Sequence, residues 1–110
     1  MVATRTVLAR WDELPLEKVT EMVARKVVAG THLVMTQAYF KRGAVVPVHA
    51  HDGEVTIYVL QGALRVQVHA DLVTVREGDV LIVPPLAPRQ AEALDDTFLL
   101  TATGSAHGPA

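Results

Sequence analysis

The sequence predicts an all-β protein with about eight or nine short strands, arranged as a sandwich or a small closed barrel. Two observations support this fold class. Glycine and proline turns interrupt the chain at intervals of roughly eight to twelve residues, and the segments between them are rich in β-branched residues. Because half of the 110 residues are hydrophobic, the chain can bury one core, and a single domain is expected.

The strands are expected between these turns. The segment Leu16 to Val28 has a helical apolar period, but its valines favour extended structure in the second half. The strand Val80 to Val83 must end at Pro84, because proline has no N–H to donate to a β-ladder. Further strands are expected at His32 to Phe40, Val45 to Val48, Val55 to Leu60, Ala63 to Ala70, Leu72 to Arg76, Arg89 to Ala93 and Thr97 to Thr103.

The composition excludes several classes of function. Without cysteine, the chain can form no disulfide, thiolate metal site or cysteine nucleophile. The net charge is only −2, and the ten Lys and Arg residues are not clustered, so nucleic acid is not an expected partner. No apolar run is long enough for a signal peptide or a membrane span, and we expect a soluble cytoplasmic protein with no membrane partner.

Two histidines one residue apart, His49 and His51, are the first candidate functional residues. If both lie on a strand, their side chains point to the same face and can share one ligand. A metal ion needs this geometry, but a pair of surface or hydrogen-bonded histidines is an equally reasonable interpretation. The sequence around the two histidines is needed to distinguish a metal site from a surface or hydrogen-bonded pair.

Two segments resemble the motifs of the cupin family. The segment from Gly43 to Gly62 resembles the first motif, and the segment from Gly78 to Ala93 resembles the second. The residues in register are Gly43, Pro47, His49, His51, Gly62, Gly78, Asp79 and Pro84. The resemblance to small single-domain bacterial cupins of the conserved-barrel type implies a double-stranded β-helix, or jelly-roll barrel. It implies a barrel over residues 27–103, an N-terminal arm and first strand region over residues 1–26, and a loose tail over residues 104–110.

The departures from the cupin motifs fall on the metal ligands that the family implies. Val55 takes the place of the third ligand, and Arg89 takes the place of the histidine in the second motif. Glu54 is one residue out of register, so a local bulge would have to turn it toward the site. A guanidinium about 5 Å from a divalent cation would repel it by about 6 kcal/mol at an effective dielectric constant of about 20.

Three functions are therefore expected as alternatives. In the first, a barrel pocket binds a small anion, a carboxylate or a sugar acid, through His49, His51 and Arg89. A guanidinium and imidazole donors suit an oxyanion. Its apolar walls are expected to come from Val55, Ile57, Val59, Val66 and Met35.

The second alternative is a metal-dependent isomerase, lyase or oxygenase. His49, His51 and Glu54 would hold Mn, Fe, Ni or Zn at partial occupancy. The layout is similar to a sugar-acid-related branch of bacterial cupins, in which a metal-bearing member opens unsaturated uronates. Acidic, aromatic and arginine residues of that branch near the last strand correspond to Thr101, Thr103 and the tail around His107 here.

The third alternative is a non-catalytic scaffold. Small cupins pair as dimers, so the resemblance implies a homodimer, with Tyr58, Leu60 and an arm carrying Trp11 as candidate interface residues. The other histidines and the serine of the tail are interpreted as residues without a role in the site. They are His32, His69, His107 and Ser105.

Overall fold

The computed structural model describes residues 6–104, and within them ten strands form two antiparallel sheets. A 3₁₀ turn, Trp11–Glu13, precedes the first strand. The strands are β1 (Glu17–Thr20), β2 (Val23–Ala29), β3 (Leu33–Phe40), β4 (Val45–His49), β5 (Val55–Gln61), β6 (Ala63–Val68), β7 (Asp71–Arg76), β8 (Val80–Val83), β9 (Arg89–Ala93) and β10 (Thr97–Gly104).

The larger sheet has the order β1-β2-β3-β10-β5-β8, and the smaller has the order β4-β9-β6-β7. The predicted all-β fold class is confirmed. The strand count is ten because the segment with helical periodicity folds as the β1–β2 hairpin. β2 begins before the boundary predicted at residue 27 and pairs along its whole length with β3. In the described part of the chain no helix has the length and apolarity to span a bilayer, and the cytoplasmic location stays a prediction.

The inner faces of the two sheets form the hydrophobic core. Side chains alternate between the faces along each strand, so every second residue of β5 and β6 is buried. The most deeply buried side chains include five valines, each at most 2% exposed: Val55, Val59, Val66, Val75 and Val83. Burying a side chain of this size contributes about 1.5–3 kcal/mol relative to leaving it in water.

The prediction that Met35 lines the interior is wrong. Thr36 is paired with Thr101, which is paired with the buried Ile57, so Thr36 shares the inner face. Met35 is its neighbour on the strand and therefore points outward, where its side chain is 38% exposed. The other expected wall residues, Val55, Ile57, Val59 and Val66, all face the core.

Gly62, between β5 and β6, shows how closely the hairpin packs against the start of β10. Its φ of 90° lies in the left-handed region that favours glycine. A Cβ built on it would lie 2.7 Å from Thr97 Oγ1 and would overlap the carbonyl oxygen of Asp96. Gly78 has nearly the same φ, 88°, but a Cβ there would meet no atom within 4 Å.

We predict that Gly62→Ala destabilises the fold far more than Gly78→Ala. Both variants lose the left-handed backbone preference, at a cost of about 1–2 kcal/mol. Only the first also pushes a methyl group into a packed backbone, so we expect a total of about 3 kcal/mol or more. Urea unfolding of both variants measures the difference, and equal losses of unfolding free energy would contradict the packing described for Gly62.

Candidate functional site

The candidate site lies at one end of the barrel, which we call the mouth. There β4 ends at His49, β5 begins at Val55, β8 ends at Val83 and β9 begins at Arg89. The connecting loops, residues 50–54 and 84–88, are tied together by a hydrogen bond from the Leu86 N–H to the His51 carbonyl oxygen, 2.8 Å long. Local turns and cross-strand pairing therefore bring both predicted motifs to the same place.

An irregularity in β4 sets the direction of His49. Val46 is paired with Ala91 and His49 with Arg89, so three steps along β4 correspond to two along β9. The extra residue falls at Pro47 and Val48, and proline has no N–H to lose from the ladder. Because of this bulge, Val46 and His49 lie on the same side of the sheet as their partners Ala91 and Arg89, although alternation alone would separate them. Val46 is half-buried, and His49 is exposed at the rim of the mouth.

The two histidines do not lie on one strand, because β4 ends at His49 and His51 lies in the following loop. The two rings are instead held by separate local contacts. Nδ1 of His49 lies 2.9 Å from the Pro47 carbonyl oxygen. Nδ1 of His51 accepts a hydrogen bond from the Gly53 N–H at 3.0 Å.

These contacts give the two rings opposite roles. A carbonyl oxygen only accepts, so this contact favours the tautomer of neutral His49 that carries its proton on Nδ1 and offers a lone pair at Nε2. The Gly53 N–H only donates, so neutral His51 carries its proton on Nε2 and is a donor there. His51 Nδ1 also lies 3.3 Å from the Gly53 carbonyl oxygen. This distance exceeds the usual donor–acceptor limit of about 3.2 Å for an N–H···O hydrogen bond.

Arg89 is the charged residue of the mouth. It is paired with His49 on one side and with the buried Val68 on the other, and it is half-buried. Among residues 6–104, no carboxylate forms an ion pair with it. Asp71, on the same face, is two strands away, roughly 10 Å. Burial lowers the pKa of the Arg89 guanidinium, which still remains charged near neutral pH.

The other predicted site residues contribute differently. Val55 and Ile57 face the core, and exposed fractions of 1% and 6% leave little of them for a ligand to touch. Glu54 is exposed and directly precedes the inward-facing Val55. Across the described residues, no three His, Asp or Glu side chains are close enough to hold a metal ion together. The donor set therefore does not fit a tightly bound resident metal, which in catalytic sites uses about three protein ligands.

Three threonines of the larger sheet also face the interior, and one of them was missed by the sequence reasoning. Thr103 is paired with Val55, and Thr101 is paired with Ile57 on one side and with Thr36 on the other. All three are half-buried. The inward position of Thr36 could not be predicted from the sequence, because apolar residues occupy both odd and even positions of its segment.

Two of the predicted bystanders, His32 and His69, lie within the described residues. His32 is exposed in the turn before β3, and His69 is exposed in the β6–β7 turn with a φ of 52°. His107 and Ser105 lie outside the described residues.

Comparison with known proteins identifies the family. Residues 37–101 match the family model described as a cupin domain, which is more than half of the chain. The chain belongs to the cupin family. The match includes all of the first predicted motif and the second, so the resemblance and the jelly-roll fold class are confirmed.

Solved structures of other cupins superpose on this chain. An RmlC-like cupin from Shewanella frigidimarina has 22% identity and a TM-score of 0.85, covering 94% of this chain and 95% of its own. KdgF from a Halomonas species has 29% identity and a TM-score of 0.79, covering 84% and 89%.

A larger enzyme contains the same fold. Salicylate 1,2-dioxygenase from Pseudoaminobacter salicylatoxidans has 17% identity and a TM-score of 0.74, and the match covers 79% of this cupin but only 26% of that chain. At such identity the likeness concerns the fold alone. The curated proteins compared with this cupin give no match.

We predict that the two histidines have opposite neutral tautomers. His49 should be the Nδ1–H form, held by the Pro47 carbonyl, and His51 the Nε2–H form, held by the Gly53 N–H. Long-range ¹H–¹⁵N correlation spectra above pH 7 distinguish the two ring nitrogens of each residue. The exposed His32 serves as the reference for an unrestrained ring. Spectra in which His51 is protonated on Nδ1 would contradict the donor role assigned to it.

Proposed function

We propose that this cupin binds a small carboxylate at the mouth, with Arg89 as its principal anchor. The observation that carries the proposal is a half-buried guanidinium on the inner face with no acidic partner among residues 6–104. A charge that is partly removed from water gains more from an incoming counterion than an exposed one does. The Arg89 guanidinium therefore favours an anionic ligand.

The neighbouring groups suit a carboxylate better than a bare halide. The planar guanidinium fork can donate two parallel hydrogen bonds to the two oxygens of one carboxylate. His51 offers a further N–H donor at Nε2, from a loop tied to the segment before Arg89. Hydrogen bonds to charged groups contribute about 1.5–3 kcal/mol each, so two or three of them support binding in the micromolar to millimolar range.

We predict that hexanoate, a simple carboxylate, raises the melting temperature of the wild type. At about ten times Kd, binding stabilises the native state by about 1.4 kcal/mol, which corresponds to a shift of several degrees in a domain of this size. Differential scanning fluorimetry measures the shift for each variant against its own ligand-free melting temperature.

Two arginine variants make this test specific. Arg89→Ala should abolish the shift. Arg76→Ala, which removes an exposed arginine from the end of β7 opposite the mouth, should retain it. A shift of the same size in the Arg89→Ala variant would contradict the proposal.

A metal-dependent enzyme, an isomerase, lyase or oxygenase, is the second candidate. The observation in its favour is the lone pair that the Pro47 contact leaves at His49 Nε2. His49, His51 and Glu54 would hold Mn, Fe, Ni or Zn, which would supply Lewis-acid chemistry. To ligate through Nε2, His51 would have to give up its bond from the Gly53 N–H, and Arg89 would have to turn away from the cation.

We predict that protein purified without an affinity tag contains less than about 0.1 equivalent of any of these metals, since two imidazoles beside a guanidinium form a weak site. Inductively coupled plasma mass spectrometry measures the content. His49→Ala is the matched variant, with His32→Ala as the control for exposed histidine. A nearly stoichiometric metal that only His49→Ala removes would favour the enzyme over the carboxylate-binding protein.

Self-association is a third element of the proposal. The outer face of the larger sheet carries a row of exposed apolar side chains: Met35, Tyr39, Tyr58, Val80 and Ile82, which are 38–60% exposed. Tyr39 stacks on Phe98 at 4.7 Å on the floor of a groove of about 1040 Å³. The arm reaches this face through a hydrogen bond from Lys26 Nζ to the Trp11 carbonyl oxygen. A second copy of the chain would cover these surfaces.

We predict a homodimer in sedimentation-velocity experiments, which the double change Tyr58→Arg and Ile82→Arg converts to a monomer. The cationic side chains would be buried without partners in the interface. Leu72→Arg is the control, because Leu72 is equally apolar and 64% exposed but lies on the outer face of the smaller sheet. A monomeric wild type would contradict this element.

A further inference from the structure

We infer that Thr36 and Thr101 determine the specificity of the carboxylate site by hydrogen bonding to hydroxyl groups of the ligand. The ligand class is then hydroxylated carboxylates, as opposed to simple aliphatic ones. The inference rests on the proposed function, since it describes the part of the same site that receives the ligand beyond its carboxylate. Its evidence comes from different residues, on the other sheet.

Strand register places the hydroxyl groups together on the inner face. Thr36 and Thr101 are directly paired across β3 and β10, so their Cβ atoms are about 5 Å apart. Thr103 lies two residues further along β10, in the row of the mouth that contains Val55 and Val83. One patch of the larger sheet therefore presents three hydroxyls.

The surroundings of this patch are apolar. The row that contains the threonine pair continues through Ile57 to Leu81, and the row beside it contains Val34, Val55 and Val83. The facing positions of the smaller sheet are also apolar: Leu64, Val66, Val73, Val75, Ala91 and Ala93. Hydroxyl groups in such a lining are not needed for packing, because valine has the same shape.

The three hydroxyls have no hydrogen-bond partner among the described residues, in contrast to another inward threonine. Thr97, 3% exposed, bonds through Oγ1 with the Ala63 N–H at 3.2 Å and with carbonyl oxygens of Ala63 and Asp95. The hydroxyl group of Thr97 therefore has its hydrogen-bond partners within the protein. Thr36, Thr101 and Thr103 are only half-buried, so a ligand or water can still reach them.

The dimensions fit a carboxylate that carries hydroxyls several carbons away. Arg89 and the threonine pair project from facing sheets, which pack about 10 Å apart. The register places Arg89 and the threonine pair on the inner sides of these two sheets, and a chain of about six carbons is long enough to span from the guanidinium at one end to the threonines further along. Without a hydroxylated partner the threonines must stay bonded to water, which an aliphatic chain would displace without compensation.

The experiment compares gluconate with hexanoate, because both have six carbons and one carboxylate but only gluconate carries hydroxyls. Isothermal titration calorimetry gives Kd for the wild type and for the double variant Thr36→Val, Thr101→Val. We expect gluconate to bind the wild type at least about tenfold more tightly than hexanoate, and the double variant to lose that factor while its affinity for hexanoate is unchanged or higher. Thr56→Val, on the outer face of the adjacent strand β5, is the matched control and should leave both affinities unchanged.

The arms of the experiment separate this inference from the function on which it rests. If the double variant binds gluconate as tightly as the wild type while Arg89→Ala abolishes binding, the carboxylate site stands and the role of the threonines is refuted. If hexanoate binds the wild type as tightly as gluconate does, the threonine inference is also refuted. If neither acid binds the wild type, both the proposed function and this inference are refuted.

Discussion

The pairing of β4 with β9 across the bulge at Pro47 and Val48 is the constraint on which the candidate site depends. It brings His49 opposite Arg89 on the same side of the sheet, with His49 exposed and Arg89 half-buried, although they lie 40 positions apart in the sequence. A regular β4 would leave His49 on the outer face, because a shift of one residue inverts every side chain beyond it. The bulge therefore brings His49 of the first sequence motif beside Arg89 of the second at the mouth.

Electrostatics then decides between the ligands that such a mouth could take. A fixed positive charge beside the histidines opposes a divalent cation and favours an anion, and at an effective dielectric constant of about 20 the effect amounts to several kcal/mol at contact distance. The hydrogen bonds act in the same direction. The Gly53 N–H uses the lone pair of His51 that a metal would need and leaves a donor facing outward from the ring.

Sequence reasoning succeeded where structure is determined locally. The strands Val80–Val83 and Arg89–Ala93 were predicted at their observed bounds, and Gly78, Pro84 and Pro88 flank three of their four ends. Met35 was assigned to the wrong face because apolar residues occupy both odd and even positions of its segment. The position of His51 in a loop could not be predicted, because the end of β4 depends on tertiary pairing. The lack of an acidic partner for Arg89 among residues 6–104 and the inward position of the three threonines follow from long-range register and could not be predicted from the sequence.

The most direct test of the central claim is a crystal structure of the protein soaked with gluconate and recorded with anomalous data. We predict a carboxylate within about 3 Å of the Arg89 guanidinium, both histidines in their present local hydrogen bonds, and no anomalous peak between them. A metal ion coordinated by His49 and His51, with Arg89 turned out into solvent, would contradict the account.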